Sequence, residues 1–367
     1  MIKLQDFKSD YKQIKSSLDK RIINLHKHNK YILGPEVFQL EDKLSKFAKY
    51  NYCTTLGNGT DALFLSLMSL DLKKGSDVLV PAFSWISSAS SILLAGLNPV
   101  FVDIDINNGC IDYKQLELKI TKKTKCLITV NIYGNKPNYK KIIQICNDKD
   151  IKIIEDAAQS FGSINTRTIL NNIDIMCTSF FPAKTLGCYG DGGACFTNSK
   201  KINDRLKLLK ILGQEKKSYS IFLGINSRLD TMQACVLLSK LSFYKKNLKR
   251  RYSLATLYKF YLDKLNVISI LDLSILDNTC TNYPILVSDR EKFVKYMNSF
   301  KIEIGLNYPY ALIDQPIFKK YKNRSHRNCL ILSKKTVCLP INPFIKDYQV
   351  KYIVKRIKKF ILINNGI

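Results

Sequence analysis

The strongest constraint on this chain is a rhythm. Between residues 60 and 198, short apolar runs (77–81, 100–104, 126–132, 151–155, 176–180 and 194–198) alternate with helix-length segments, among them 60–70, 84–94 and 139–147. That alternation predicts an α/β fold with a mostly parallel sheet and helices on both of its faces. Two amphipathic helices are expected ahead of it. One covers 7–29, with Phe7, Tyr11, Ile14, Leu18, Ile22 and Leu25 at helical spacing. The other covers 36–50, with Val37, Leu40, Leu44 and Phe47 on one face, after a break at Gly34-Pro35. A long helical stretch near 229–252 leads into a region of different texture, with scattered strands and closing helices at 289–300 and 347–361. The expected division is a large domain over 1–245, N-terminal helix included, and a smaller α+β domain over 246–367. No internal repeat is visible.

Composition narrows the function classes. With 46% hydrophobic residues, 16 Gly and 10 Pro in 367 residues, the chain is neither low-complexity nor collagen-like. No apolar run approaches the roughly 20 residues of a membrane-spanning helix. The charged opening, MIKLQDFKSDYKQIK, lacks the apolar stretch of a signal peptide. A soluble, cytoplasmic protein is expected. The 11 cysteines are scattered singly, with no C-x-x-C, and His26, His28 and His326 lie away from any cysteine pair. Zinc and iron–sulfur sites need clustered ligands, so reduced and mostly buried thiols are expected instead. The net charge of +28 is spread along the whole chain, with lysine pairs between apolar segments. It reads as a compositional bias with a modest benefit for an anionic substrate, and it points to neither nucleic acid nor membrane.

Three constellations carry chemistry. Gly57-Asn58-Gly59-Thr60-Asp61 runs directly into an apolar helix, so Thr60 or Asp61 can cap it and its first N–H groups form an anion site. Glu155-Asp156-Ala157-Ala158-Gln159 follows an apolar run, which places a carboxylate at a strand's carboxyl end, where open α/β sheets bind ligands. Ser179-Phe180-Phe181-Pro182-Ala183-Lys184 precedes a glycine-rich stretch; a lysine so flanked can lose its charge and act as nucleophile or base. Each has an ordinary explanation on its own: a capped glycine turn, an Asp capping the next turn, a lysine stem lying over the surface. Their order and spacing, with Lys184 28 positions after Asp156, match the needs of pyridoxal 5'-phosphate (PLP). That cofactor requires a phosphate site, an acidic partner for its ring nitrogen and a lysine for its carbonyl.

On these motifs the sequence resembles the nucleotide-sugar aminotransferases, the DegT/DnrJ/StrS group of fold-type-I PLP enzymes. The resemblance runs from Tyr31-Ile32-Leu33-Gly34-Pro35-Glu36-Val37 to Asn342-Pro343. Segments 57–63, 155–162, 177–195 and 224–241 look most like enzymes that aminate C3 of UDP-2-acetamido-2-deoxy-3-oxo-glucuronate. Aminotransferases acting on dTDP- or UDP-linked keto-deoxysugars at C3 or C4 share much of this wording.

The resemblance implies a central seven-stranded sheet and a role for each matching residue. Lys184 takes the place of the family's Schiff-base lysine and shuttles a proton once freed. Asp156 pairs with the pyridine nitrogen, Gln159 contacts the phenolic oxygen, and Gly59, Thr60 and Ser179 hold the phosphate. Trp85, the only Trp, falls at the position that stacks on the ring, against the alternative of a core Trp on a first helical turn. Asn226 matches the Asn that reaches a neighbouring subunit's phosphate, which implies a homodimer with shared sites. On the substrate side, Arg228 pairs with a carboxylate or phosphate, or forms an ion pair near Asp230. Asn307 and Tyr308 match a His-Tyr-Pro loop with Asn in the His position. Relatives with His in place of the lysine dehydrate or deoxygenate; Lys184 favours transamination. The implied reaction moves the amine of glutamate, released as 2-oxoglutarate, onto the sugar ketone for surface-polysaccharide (lipopolysaccharide, O-antigen) assembly. A sensor that binds PLP or sugar nucleotide without turnover is the different-class alternative, and it would be expected to lack Lys184, Asp156 or Ser179.

Overall fold

The computed structural model describes residues 1–163, 167–273, 278–322 and 326–364. In chain order the first half contains α1 (Phe7–His28), α2 (Pro35–Ala48), β1 (Tyr52–Leu56), α3 (Gly59–Ser69), β2 (Asp77–Pro81), α4 (Ser87–Leu94), β3 (Asn98–Val102), α5 (Tyr113–Glu117), β4 (Thr124–Val130), α6 (Tyr139–Asp148), β5 (Lys152–Asp156), α7 (Arg167–Asn172), β6 (Ile175–Ser179) and β7 (Gly193–Thr197). The second half adds α8 (Lys200–Leu209), β8 (Gln214–Lys216), β9 (Tyr219–Ser220), α9 (Thr231–Leu262), β10 (Tyr283–Leu286), α10 (Arg290–Ser299), α11 (Asn328–Lys335), β11 (Thr336–Leu339) and α12 (Asp347–Asn364).

Seven strands form one sheet in the order β1-β7-β6-β5-β4-β2-β3. β7 runs against both of its neighbours, β1 and β6, while the pairs from β6 to β3 are parallel. Because both faces are covered, successive residues of one strand enter different cores. Val78 and Val80 of β2 belong to the core that holds Ala62 and Leu65 of α3, whereas Leu79 between them belongs to the core that holds Val37 and Leu40 of α2. Strands buried on both faces lose the alternation of an exposed sheet and read as continuous apolar runs.

β1 had no such signature. Its central residues, Thr54 and Thr55, are buried polar groups satisfied from outside the sheet. Thr54 Oγ1 donates to Asn203 Oδ1 at 2.9 Å, and Thr55 Oγ1 donates to Glu41 Oε1 at 2.8 Å. The expected strands otherwise appear within one or two residues of their places. The third run ends at Val130 rather than residue 132, which instead opens a 3₁₀ turn over 132–134, with Tyr133 at φ 60°.

α9 is longer than expected, passing through residues 245 and 252 without a break and ending at Leu262. Its first half packs with α1 and α2, and its later turns carry Leu254 and Tyr258 into the core shared with β10 and β11. Beyond it lies an α+β arrangement in which the antiparallel pair β10–β11 contacts α11 and shares one core with α10 and α12. The first residues also join this region: Ile2 bridges Ile302, and Asn342 Nδ2 donates to the Lys3 carbonyl at 2.8 Å. All eleven cysteines are free thiols and buried. No helix among the described residues is long and apolar enough to cross a membrane.

Candidate active site

β1, β2, β4, β5 and β6 end at the same edge of the sheet, and the segments that follow them carry most of the expected site residues. Asp156 is the last residue of β5 and is buried. Its Oδ1 accepts from the Ala158 N–H at 3.1 Å and its Oδ2 from the Ser88 hydroxyl at 3.0 Å. Burial pushes its pKa above the usual carboxylate value, while the Ala158 N–H, the charge of Lys184 and Ser88 oppose that shift.

Lys184 lies in the turn beyond β6, where its N–H donates to the Phe181 carbonyl at 2.8 Å. Gln5 Nε2 ties the same turn from the N-terminal segment, donating to the Ala183 carbonyl at 3.0 Å. Burial lowers the Lys184 pKa, and the Asp156 charge partly restores it. An amine held closer to its neutral form is a better nucleophile than an exposed lysine. Lys184 is half-buried and close enough to Asp156 to feel its charge, which a solvated surface lysine would not be.

The start of α3 corrects one expectation. The cap is Asn58, not Thr60 or Asp61: the helix begins at Gly59, and Asn58 Oδ1 accepts from the Asp61 N–H at 2.8 Å. Both expected caps sit inside the first turn and are used elsewhere. The Thr60 and Ser87 hydroxyls are 2.7 Å apart, and Asp61 Oδ2 accepts from Ser227 Oγ at 2.7 Å. The Gly59 and Thr60 N–H groups have no acceptor among the described residues, as the first groups of a helix do not. Ser179 faces them so closely that a β-carbon on Gly59 would stand 2.6 Å from Ser179 Cβ. Ser179 Oγ accepts from the Phe181 N–H at 3.2 Å, which leaves its own proton to donate.

Gln159 is held on all sides. Its Oε1 accepts from the Tyr133 N–H at 2.8 Å, and its carbonyl accepts from Thr279 and Thr281 at 2.6 and 2.5 Å. Its Nε2 donates to the Tyr308 hydroxyl at 2.6 Å, which leaves one amide proton over. Tyr308 also brings its ring centroid within 5.9 Å of Trp85. Trp85 is 59% exposed just past β2, which removes the core-Trp explanation. Asn307 donates from Nδ2 to Asn282 Oδ1 at 3.1 Å, and its carbonyl accepts from the Tyr133 hydroxyl.

Asn226 is exposed and Arg228 half-buried, on either side of the buried Ser227. Ser227 Oγ accepts from the Gly57 N–H at 3.0 Å, so this segment lies beside the start of α3. No carboxylate among the described residues pairs with Arg228, so the ion pair near Asp230 does not form.

These residues suit the group that the spacing implied. Two free helix N–H groups and the Ser179 hydroxyl line a gap that a single β-carbon would close, which fits a phosphate. A buried, hydrogen-bonded carboxylate opposite a lysine of lowered pKa fits a pyridine nitrogen and a carbonyl. Sequence reasoning missed the supporting polar residues: Ser87, Ser88, Asn131, Tyr133 and Ser227. Asn131 Nδ2 donates to Glu155 Oε1 and to Ser160 Oγ at 2.6 and 3.0 Å beneath the β5 end. The available signal was five serines within residues 84–91, too many for an apolar helix face.

Comparison with known proteins finds relatives along nearly the whole chain. Residues 12–358 match the model of the DegT/DnrJ/EryC1/StrS aminotransferase family. The UDP-2-acetamido-2-deoxy-3-oxo-D-glucuronate aminotransferase of Pseudomonas aeruginosa is 35% identical, covering 96% of this chain and 98% of the relative. The dTDP-3-amino-3,6-dideoxy-alpha-D-galactopyranose transaminase of Aneurinibacillus thermoaerophilus is 31% identical over 90% of this chain and 91% of its own length. A crystal structure of a DegT DnrJ EryC1 StrS aminotransferase from Brucella abortus superimposes with a TM-score of 0.92 at 30% identity, covering 98% of this chain and 99% of that one.

Proposed function

The chain belongs to the DegT/DnrJ/EryC1/StrS aminotransferase family, whose members are PLP-dependent, and on that premise we propose that it aminates C3 of UDP-2-acetamido-2-deoxy-3-oxo-glucuronate. Glutamate is the proposed donor, and the product would enter surface-polysaccharide assembly in the cytoplasm. One observation carries the chemistry: buried Asp156 and half-buried Lys184 lie close enough for their charges to act on each other, on neighbouring strand ends with the gap between Gly59 and Ser179. The choice of sugar rests on the 35% identity to the Pseudomonas aeruginosa enzyme along almost its full length.

When bound, PLP supplies an electron sink and carries the amino group between donor and ketone. The chain's residues do the rest. Lys184 would hold the cofactor's carbonyl end, and its amine would move the proton at the reacting carbon as general acid and base. Asp156 would hold the ring nitrogen, Gln159 the phenolic oxygen and Trp85 the ring face. Gly59, Thr60 and Ser179 would hold the phosphate. Asn226 is assigned to the phosphate of a partner subunit, which makes the working unit a homodimer. Arg228, Asn307 and Tyr308 are assigned to the sugar nucleotide; the unpaired guanidinium of Arg228 suits its carboxylate or diphosphate. In this reading residues 1–245 form the cofactor domain and 246–367 the smaller one.

The test is a visible absorption titration of the PLP-loaded protein. Bleaching of its absorption band by both glutamate and UDP-2-acetamido-3-amino-uronic acid, the proposed product, supports the assignment. Bleaching by glutamate alone retains an aminotransferase and moves the substrate to a dTDP- or UDP-linked keto-deoxysugar, the reading that the Aneurinibacillus thermoaerophilus relative favours. A protein that takes up no PLP would overturn the proposal and leave a non-catalytic sugar-nucleotide binder.

A further inference from the structure

The turn from Ser84 to Ser88 touches the site at three points. Trp85 projects from it at the β2 end, Ser87 Oγ lies 2.7 Å from the Thr60 hydroxyl, and Ser88 Oγ donates to Asp156 Oδ2 at 3.0 Å. Ser84 and Ser88 are both buried, and their hydroxyl oxygens are 2.8 Å apart. A serine hydroxyl has one proton. Ser88 commits that proton to Asp156, so Ser84 is the donor in the serine pair and the chain of bonds has one direction: Ser84 to Ser88 to Asp156.

We infer that Ser88 is a positioning residue for the proposed cofactor reaction, with Ser84 orienting it. Together they hold Asp156 as an anion whose free lone pair faces the ring nitrogen of PLP. The inference rests on the cofactor assignment above and concerns what sets the state of Asp156 within it. Among the described residues, the groups that face Asp156 are few. They are the Ala158 N–H on Oδ1, Ser88 on Oδ2, the Lys184 ammonium, and the neutral Tyr308 hydroxyl and Cys177 thiol, which burial keeps protonated. Once Lys184 is bound to the cofactor its full ammonium charge no longer faces Asp156. The two hydrogen bonds then remain as the chain's own support for the anion. Ser88 supplies one of them, and a hydrogen bond to a buried charge is among the stronger kinds.

Without that donor, Asp156 becomes the stronger base and draws the shared proton from the ring nitrogen toward itself. The direct probe is the nitrogen-15 resonance of ring-labelled PLP bound to the protein, with cofactor dissociation measured alongside. In the wild-type protein the resonance is expected at its protonated position. In Ser88→Ala it is expected to move toward the unprotonated position, with cofactor held roughly tenfold less tightly. Ser88→Thr, which keeps the hydroxyl, is expected to restore both.

A Ser88→Ala protein with wild-type nitrogen shift and wild-type cofactor retention overturns the inference. Should that variant not fold, Ser84→Ala carries the test. It removes only the orienting hydroxyl, so the resonance must move in the same direction by a smaller amount, and no movement refutes the relay. A wild-type protein that binds no labelled PLP refutes the cofactor assignment itself, which is a different result from an unshifted Ser88→Ala.

Discussion

Gly59 and Ser179 approach so closely that a β-carbon on the glycine would lie 2.6 Å from the serine's own. The gap between the start of α3 and the end of β6 exists because residue 59 has no side chain. Gly59→Ala should cost about 1–3 kcal/mol, the usual range for overpacking, and should weaken PLP retention by displacing Ser179 from the phosphate. Urea unfolding and equilibrium dialysis measure the two effects separately. Adding Ser179→Gly should recover the stability but not the affinity, since it removes the clash together with the hydroxyl.

Asp156 sets the charge state of Lys184 as well as that of the cofactor. The carboxylate raises the pKa of the amine, against a burial effect that lowers it. Asp156→Asn should therefore lower the Lys184 pKa further in cofactor-free protein, so that reductive methylation of this residue sets in at lower pH. Mass spectrometry of the peptide across a pH series gives the profile; an unmoved or raised midpoint rejects the coupling. Lys184→Ala is the companion measurement. It should melt near the wild-type temperature and form no borohydride-stable adduct with PLP.

Asn226 is exposed and precedes Ser227, which bonds the Gly57 N–H ahead of α3. Asn226→Ala should lose cofactor faster than the wild type. Mixing it with Lys184→Ala offers a sharper check: a mixed dimer contains one site with both native residues, so mixing should regain part of the retention that neither variant has. A monomeric preparation with full activity would sink the shared-site arrangement.

Away from the site, Glu41 and Lys210 form a buried ion pair at 3.2 Å that also holds β1. Glu41 Oε1 accepts from the Thr55 N–H at 2.7 Å, and Lys210 Nζ donates to the Thr55 carbonyl at 3.1 Å. Lys210→Met leaves a buried carboxylate without its counter-charge and should destabilise by about 3–5 kcal/mol. Urea unfolding checks this, and adding Glu41→Gln should return part of the loss.

The same pair explains what the sequence concealed. The runs that became β2 and β4 to β6 were legible because each has an apolar stretch buried on both faces. β1 was not, because Thr54 and Thr55 fill its centre and their partners, Asn203 and Glu41, lie on helices outside the sheet, Asn203 149 positions away. The chemistry-bearing residues Lys184, Asp156 and Ser179 could be read from spacing and from the family resemblance. Their supports could not. Ser88 is an ordinary helix residue until folding brings it to Asp156, 68 positions away. Asn58 looked like one more turn residue because both of its neighbours on the helix side, Thr60 and Asp61, are equally good capping types.

α9 has a consequence for how this chain can vary. Its 32 residues span about 48 Å at the usual rise. Near one end Thr231 accepts from the Gly34 N–H at 3.1 Å, and toward the other Arg251 reaches the carbonyls of Thr281 and Ile341. The helix is thus a ruler between two fixed marks. Deleting one residue between them would shorten it by about 1.5 Å and turn everything beyond through about 100°. Arg251 would then swing away from both carbonyls, and Leu254 and Tyr258 would leave their core. Changes of length belong to the surface turns, while this helix can change its letters but not its count.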